Sequence, residues 1–327
     1  AEDLWPDPLI EATEGTDQAP AYRGTAYIVF EDLPLDAFGN RLPQLSFEVV
    51  RAGTGTSDSL SETVTGVNII PASGEFVYAT SIIRERQYPA IEKTLNANSV
   101  SGEADFSVSL RQLQSDLPRV DAAALTVAWF GDDLRAGACH ISPGVEQKIR
   151  HTVPYAWSVD GVDRASAYLI SQTNGRPNYG GTPADQAVIE GIQALKAAGI
   201  AVTLSPFLLM DVPPGNSLPD PYGGQAQSPF PWRGRITVTA DATAQARSEI
   251  ATFVGNDGGF GFRHFILHHA RLAVQAGGVD TFLIGSELVG LTRVRDEAGR
   301  FPFIEALIEL AAEVKAILGA GTAVSYA

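Results

Sequence analysis

The chain has 327 residues, 45% of them hydrophobic and 19% charged, which is the balance of a globular protein rather than a disordered one. A formal net charge of -15 argues against nucleic-acid binding, which needs a basic face to neutralise phosphates, and against attraction to an anionic membrane surface. Cys139 is the single cysteine, so neither an intrachain disulfide nor a thiolate metal cluster is available.

The chain opens on Ala1 with the acidic stretch "AEDLWPDPLIEATEG" and lacks the basic and apolar pattern of a secretion signal, and no run approaches the length of a membrane span. Its sole methionine is Met210, so the reading is of a piece of a longer, or a processed, polypeptide. Residues 21–51 read as β-structure: Thr25 to Phe30 is β-branched and aromatic, "DAFGNRLPQ" supplies a turn, and "LSFEVV" alternates apolar with polar. Residues 52–66 are a polar Gly/Ser/Thr loop, and "FVYATSIIRER" suggests one more strand. Phe106, Leu110, Leu113 and Leu117 fall at helical spacing, and Pro118 closes that helix, expected over 103–117.

After residue 120 the rhythm changes. "ALTVAWFGDD" and "ASAYLIS" read as short strands. "GTPADQAVIEGIQALKAAGIAVTLSPF" reads as a helix followed by a strand, with Thr182 as N-cap, Pro183 at the first helical position, Asp185 in the first turn and Gly199 as the stop. The unit recurs: "RHFILHHARLAVQAGG" leads to "TFLIG", and "PFIEALIELAAEVKAILGAG" leads to "TAVSYA". In the last helix Ile304, Leu307, Ile308, Ala311, Val314 and Leu318 form an apolar stripe. Helices alternating with short, wholly apolar strands imply a parallel sheet jacketed by helices. No glycine-rich phosphate loop follows the first strand, which disfavours a dinucleotide fold, and the fold class expected is α/β, an incomplete (β/α)8 barrel. Such barrels typically have eight strands in about 250 residues, and five are read here, over 121–327, behind a mostly β segment at 1–120.

In such barrels chemistry sits where the strands end. The acids there are Asp132 and Asp133 in "WFGDD", Asp211 in "SPFLLMD" and Glu287 in "GSEL". Cleaving a glycosidic bond takes two carboxyl groups, and Trp129, Trp157, Tyr179 and Trp232 could stack on sugar faces. The plainer alternatives are that Glu287, Asp132 and Asp133 merely start helices, that Asp211 is a turn residue before Pro213, and that Trp129 is core. His264 and His268 lie four apart on a helix, but the residues between them lack the glutamate of a zinc-protease motif, so a packed or solvated face is the reading and no metal is expected. His140 and His151 stand isolated, and no Gly-x-Ser-x-Gly elbow occurs.

"WFGDDLRAG", "GRPNYGGTPADQAVIEGIQALKAAGIAVTLSPFLLMD" and "GGVDTFLIGSELVGLTR" resemble the glycoside-hydrolase TIM-barrel-like domain of the large host-specificity, or megatron, baseplate proteins of gene transfer agents and related siphophage tail tips. "YRGTAYIVFEDLPLDAFGNRLPQLSFEV" is similar to the tail-hub segment that runs into that barrel, so the likeness spans about Trp5 to Ala327. The resemblance implies a tail-hub-like segment at 1–120 and the N-terminal part of the barrel at 121–327. It carries the acid/base role onto Glu287, after Gly285 and Ser286 at the end of strand four. The nucleophile would end strand seven, beyond Ala327.

The function expected from the resemblance is a structural component of a phage-like tail baseplate whose barrel contacts cell-surface polysaccharide during host recognition and DNA delivery. The alternative is an active, retaining glycoside hydrolase that cleaves capsule or wall glycan with Glu287 as general acid/base. A free cytoplasmic sugar enzyme fits less well. Asp132, Asp133, Trp157, Tyr179, Asp211 and Trp232 are the candidate sugar contacts, and neither metal nor cofactor is expected. Expected partners are other tail and baseplate proteins, further copies of the chain in a symmetric baseplate, and host polysaccharide. The expected location is the distal end of the tail of a virion-like particle assembled in the bacterial cytoplasm.

Overall fold

The computed structural model describes residues 8–15, 33–34, 60–70, 73–88, 91–256 and 259–327. The strands and turn read over residues 21–51 lie outside the described residues. Two compact units divide the chain, Ala1–Ala52 and Gly53–Ala327. In the first, residues 8–15 and 33–34 are described, and the short helix Pro8–Glu14 buries no side chain.

The second unit is built on a sheet whose five parallel strands are β1 Gly66–Ile69, β2 Ala122–Gly131, β3 Ala201–Met210, β4 Thr281–Leu283 and β5 Ala323–Ser325, with the short Ile141–Ser142 added antiparallel to the end of β2. Each pairs in parallel with the next in sequence, so the spatial order is 1-2-3-4-5 with no reversal. A doubly wound fold reverses its strand order at a switch point, whereas an unbroken order with a helix between neighbours is the winding of a (β/α) barrel. The longer helices are α1 Asp105–Asp116, α2 Asp185–Ala197, α3 Ala244–Val254, α4 Phe262–Gln275 and α5 Pro302–Leu318. β1 and β5 are not paired with each other, so the sheet is an open sector of a barrel.

Strand alternation sorts the two faces. Leu125, Val127 and Trp129 of β2, Val202 and Leu204 of β3 and Phe282 of β4 are 0–1% exposed and join one core with the helices. On the opposite face Ala124, Thr203, Phe207, Leu209, Thr281 and Leu283 are only partly buried. Each fully buried large side chain on the helix-facing side contributes about 1.5–3 kcal/mol. α2 reaches this core through Ala187, Val188, Gly191, Ile192 and Leu195. A Cβ on Gly191 would stand 3.0 Å from the Tyr78 Cβ, so the bare backbone lets helix and segment 75–79 meet.

Several expectations change. "ASAYLIS" is not a sheet strand: only Tyr168–Leu169 is extended, and it pairs with Gly144–Val145 away from the main sheet. Its place is taken by Gly66–Ile69, which lies before residue 121, as does α1, while the compact unit begins at Gly53. "FVYATSIIRER" is extended only from Arg84; its start turns so that Tyr78 and Ala79 enter the core. Thr182 does not cap α2: its hydroxyl accepts from Gly144 N at 2.9 Å and Ala184 stands at the cap. Gly199, at φ 75, does follow the end of that helix. In α5 the buried residues are Pro302, Phe303, Leu307, Leu310 and Val314, while Ile304 and Ile308 stay exposed. Two apolar registers coexist on that helix, and its packing selects the one containing Phe303.

Candidate functional site

The two longest strands, β2 and β3, run in register from Ala122/Ala201 to Gly131/Met210. Their exits, with that of β4, define a rim. β4 ends at Leu283, and the chain then turns through Gly285 at φ 147 and Glu287 at φ 57. A Cβ on Gly285 would meet Phe262 at 3.0 Å and Tyr326 at 3.1 Å, so glycine is required there. The neighbouring strand holds this turn: Glu287 N donates to Ala327 O at 3.0 Å, Ala327 N donates to Gly285 O at 3.1 Å, and Leu288 N donates to Tyr326 Oη at 2.8 Å.

From the other side comes the loop after β3. Trp232 Nε1 donates to Glu287 Oε2 at 2.5 Å. Arg233 pairs with the same oxygen at 2.9 Å, and its Nε donates to Ser286 O at 3.1 Å. The Arg233 guanidinium lies 3.7 Å over the ring of Phe207, on the sheet face away from the helices. Burial pulls the guanidinium below the ordinary arginine value, and Glu287 opposes that pull. Burial likewise raises the Tyr326 hydroxyl. With both donors on Oε2, a proton carried by the Glu287 carboxyl would sit on Oε1, and Oε1 has no hydrogen-bond partner among the described residues.

Glycines bring these parts within reach. A Cβ on Gly234 would stand 2.5 Å from the Trp232 ring, and one on Gly290 would stand 2.3 Å from Ile236 O. The indole therefore lies on bare backbone, and helix Val289–Thr292 presses against the loop that carries Arg233. Arg233, Phe207, Ser286 and Tyr326 were missed by sequence reasoning. "PWRGR" looks like an ordinary solvated loop, and nothing local marks Arg233 as 6% exposed.

The remaining candidates separate. Asp211, 1% exposed, accepts from Tyr168 Oη at 2.8 Å and from Ser171 N and Oγ at 2.7 and 2.5 Å, so it anchors the segment at 168–171. Asp133 is buried and accepts from Arg135 and Gln227; burial would raise its carboxyl, but those hydrogen bonds and the Arg135 charge hold it below the usual carboxylate value. Both are used up in fastening loops. Asp132 is more open and accepts from His140 N at 2.8 Å, with the His140 ring at 3.2 Å. His140, read as isolated, thus has a partner. Tyr179 donates to Met210 O and packs 5.7 Å from both Phe130 and Phe230; burial first, and Asp211 next, raise its hydroxyl. Trp157, expected at a sugar face, is 2% exposed and donates to Thr182 O inside the core, so it offers no face to a ligand. Trp129 is core, at 0% exposure. Of the named candidates the structure brings together Glu287 and Trp232.

His264 and His268 face Asp160 and Asp185, not solvent, and no cluster of three or more ligating side chains suited to a metal occurs among the described residues. Nor is any helix among those residues long and apolar enough to cross a membrane.

Residues 260–327 match the model of the GTA TIM-barrel-like domain, a segment that runs from α4 through Glu287 to β5. Together with the 1-2-3-4-5 parallel winding, this defines a TIM-barrel-like domain of which five strands are present. Among solved structures the chain is similar to a GH113 beta-1,4-mannanase, with 18% identity over 67% of this chain and 48% of that one and a TM-score of 0.36. It is also similar to the GH113 beta-mannanase of Alicyclobacillus acidocaldarius, with 12% identity over 80% of this chain and 52% of that one and a TM-score of 0.39. The chain thus spans about half the length of these solved chains. No curated protein matches it.

Proposed function

We propose that this barrel contacts polysaccharide at its rim as part of a phage-like tail baseplate, docking on the surface glycan of a recipient cell during host recognition and DNA delivery. The observation that carries the glycan reading is the pairing of a half-exposed indole with a carboxylate: Trp232, 49% exposed, is hydrogen-bonded to Glu287 at the exit of β4. A sugar ring has an apolar face and a rim of hydroxyls, and that pair addresses both. The match to a GTA TIM-barrel-like domain supports the baseplate setting, together with the sequence resemblance. In that setting the partners are other tail and baseplate proteins and further copies of this chain, at the distal end of a tail.

The second reading is hydrolysis, with Glu287 as general acid/base, and its position after the fourth strand favours it. The glutamate would deliver its proton from Oε1, while Trp232 and Arg233 hold the carboxyl plane through Oε2. A retaining mechanism needs a second carboxylate about 5–5.5 Å away, to form the glycosyl intermediate.

The test uses the full-length protein and its Glu287→Gln variant on envelope polysaccharide from recipient cells, following both binding and reducing-end release. Binding in both proteins without release supports docking alone. A loss of about 10²-fold or more in release on substitution supports general acid catalysis. Absence of binding by either protein would remove the glycan reading, and absence of the chain from purified tail particles would remove the baseplate setting.

A further inference from the structure

We propose that Asn174 is a site of spontaneous covalent modification: its side-chain amide closes onto the Gly175 backbone nitrogen, and the hairpin carrying the pair passes from an amide to a carboxylate form.

Asn174–Gly175 is the only Asn–Gly step in the chain. It forms the tip of a hairpin in which Thr173 pairs with Arg176 and Gln172 with Pro177. Asn174 at φ 53 and Gly175 at φ 74 both lie in the left-handed region, as a two-residue hairpin turn of this hand requires. Residues 172–176 are all exposed, and a Cβ on Gly175 would meet nothing within 4 Å, so no neighbouring group shields the attacking nitrogen. The Asn174 side-chain amide makes no hydrogen bond among the described residues. Ring closure brings the Gly175 nitrogen onto Asn174 Cγ, so the backbone between them must rotate out of the turn. That motion costs little here, because the hairpin is a separate two-stranded sheet with two paired positions, a length that is marginal on its own.

Other turns and asparagines give the contrast. Asp160–Gly161 tips a second hairpin of two paired positions at the same φ values, 53 and 74. Its side chain is held by His264 and His268, and an ionised carboxylate is a poor electrophile. Asn98 and Asn216 are each followed by serine, but the amide of Asn98 is tied to Asp105 and that of Asn216 to Pro213 O and Gln227 O. Asn174 combines a glycine neighbour, an exposed turn and an untethered amide.

The reaction consumes only water. The Gly175 N–H gives its proton to solvent base, the N–Cγ bond forms, the Cγ–Nδ2 bond breaks, and the side-chain nitrogen leaves as ammonia. Water then opens the resulting succinimide at either carbonyl, giving aspartate or an isoaspartyl linkage in which the main chain runs through Cβ and Cγ. Either product places a carboxylate two residues from Arg176, whose exposed side chain has no partner among the described residues. The isoaspartyl form also lengthens the turn by one carbon, which the Thr173–Arg176 register does not accommodate. The root of the hairpin stays fixed: Asn178 N donates to Ser171 O at 2.9 Å, and Ser171 N donates to Asp211 at the exit of β3 at 2.7 Å. The change is therefore confined to an arm rooted at the rim, whose net charge falls from positive to neutral.

The test holds the full-length folded protein at neutral and at mildly alkaline pH and follows it by peptide mass spectrometry and isoaspartyl methyltransferase labelling. The expected result is loss of the Asn174 amide in most chains, faster at the higher pH, while Asn98, Asn178 and Asn216 keep theirs. Gly175→Ala, which crowds the attacking nitrogen, should abolish the loss. Because alanine at φ 74 also strains the turn, Asn174→Gln, which keeps an amide but would need a larger ring, is the second variant and should likewise keep its amide. Retention of the Asn174 amide in the folded protein, with loss only after unfolding in urea, overturns the inference. So does loss that persists in Gly175→Ala or is spread evenly over the asparagines.

Discussion

Between α2 and α4 lies a charge cluster whose titration predicts a stability maximum at near-neutral pH. Asp160, in the turn joining Ser158–Val159 to Val162–Asp163, faces two histidines of α4. His268 Nδ1 is 3.2 Å from Asp160 Oδ1, and its Nε2 is 2.9 Å from Asp185 Oδ1 at the start of α2. The ring packs 5.5 Å from that of Trp129. Burial opposes charge on His268, but the two carboxylates outweigh it and push its pKa up to about 9 from 6.5. At about 1.4 kcal/mol per tenfold change in the protonation equilibrium, that gap is worth about 3 kcal/mol. The folded value lies above the unfolded one, so the contribution is complete below pH 6.5 and disappears as pH rises through 9. The same interaction lowers Asp160 to about 2 against burial, so its acid limb lies below pH 3.8. Next in the helix, His269 is 1% exposed and its Nδ1 donates to Phe265 O at 2.7 Å. Burial first, then the charge on His268, drops its pKa to about 3. Below pH 6.5 the unfolded chain takes up a proton that folded His269 refuses, at about 1.4 kcal/mol per pH unit. Denaturant titrations from pH 4 to 10 should therefore show a maximum near the midpoint. His268→Gln, whose Nε2 can still reach Asp185, should lose about 3 kcal/mol near pH 6.5 and almost nothing by pH 10. His269→Asn, which keeps a donor where Nδ1 lies, should flatten the acid limb. A His268→Gln loss equal at both pH values would refute an electrostatic origin.

Two further substitutions test the scaffold. Glu75, 3% exposed, accepts from Arg164 Nη1 and Nη2 at 2.7 Å each and from Arg150 Nη1 at 2.9 Å, so Glu75→Gln leaves the buried Arg164 guanidinium without a carboxylate, while Arg150 keeps Glu146, and should cost about 3–5 kcal/mol in urea unfolding. Gly290→Ala drives a Cβ into Ile236 O and Gly234 O, both backbone atoms, and should cost about 1–3 kcal/mol and lower glycan affinity as the Arg233 loop shifts. Gly321→Ala, with nothing within 4 Å, is its control and should stay within about 0.5 kcal/mol of wild type.

What the sequence made legible were the elements whose signal is local. The helix from Asp185, the stop at Gly199 and the apolar strand that carries Trp129 are each written in consecutive residues. β1 was not legible, because Gly66–Ile69 is four residues long and earns its place only through register with Ala122–Leu125. "ASAYLIS" has the composition of a strand but takes its backbone bonds from Pro143 and Val145 instead of the main sheet. The two errors cancel in the count, so the strand before Glu287 is the fourth in either reading. Trp157 shows the same limit: read as a candidate sugar contact, it is buried, and only its bond to Thr182, across the fold, reveals why.

Adjacency in the sheet accounts for how the rim site forms at all. Trp232 and Glu287 are 55 positions apart, and Tyr326 lies 38 positions beyond Leu288, yet all converge because β3, β4 and β5 are neighbours in register. The strand exit that carries Glu287 is gripped from one side by the β3 loop and from the other by the end of β5. A residue at φ 57 held by both neighbours cannot relax alone. Loosening the β4–β5 pairing, where Ile284 N donates to Ser325 O at 2.9 Å, therefore releases the backbone under Glu287 as surely as removing Arg233 releases its side chain.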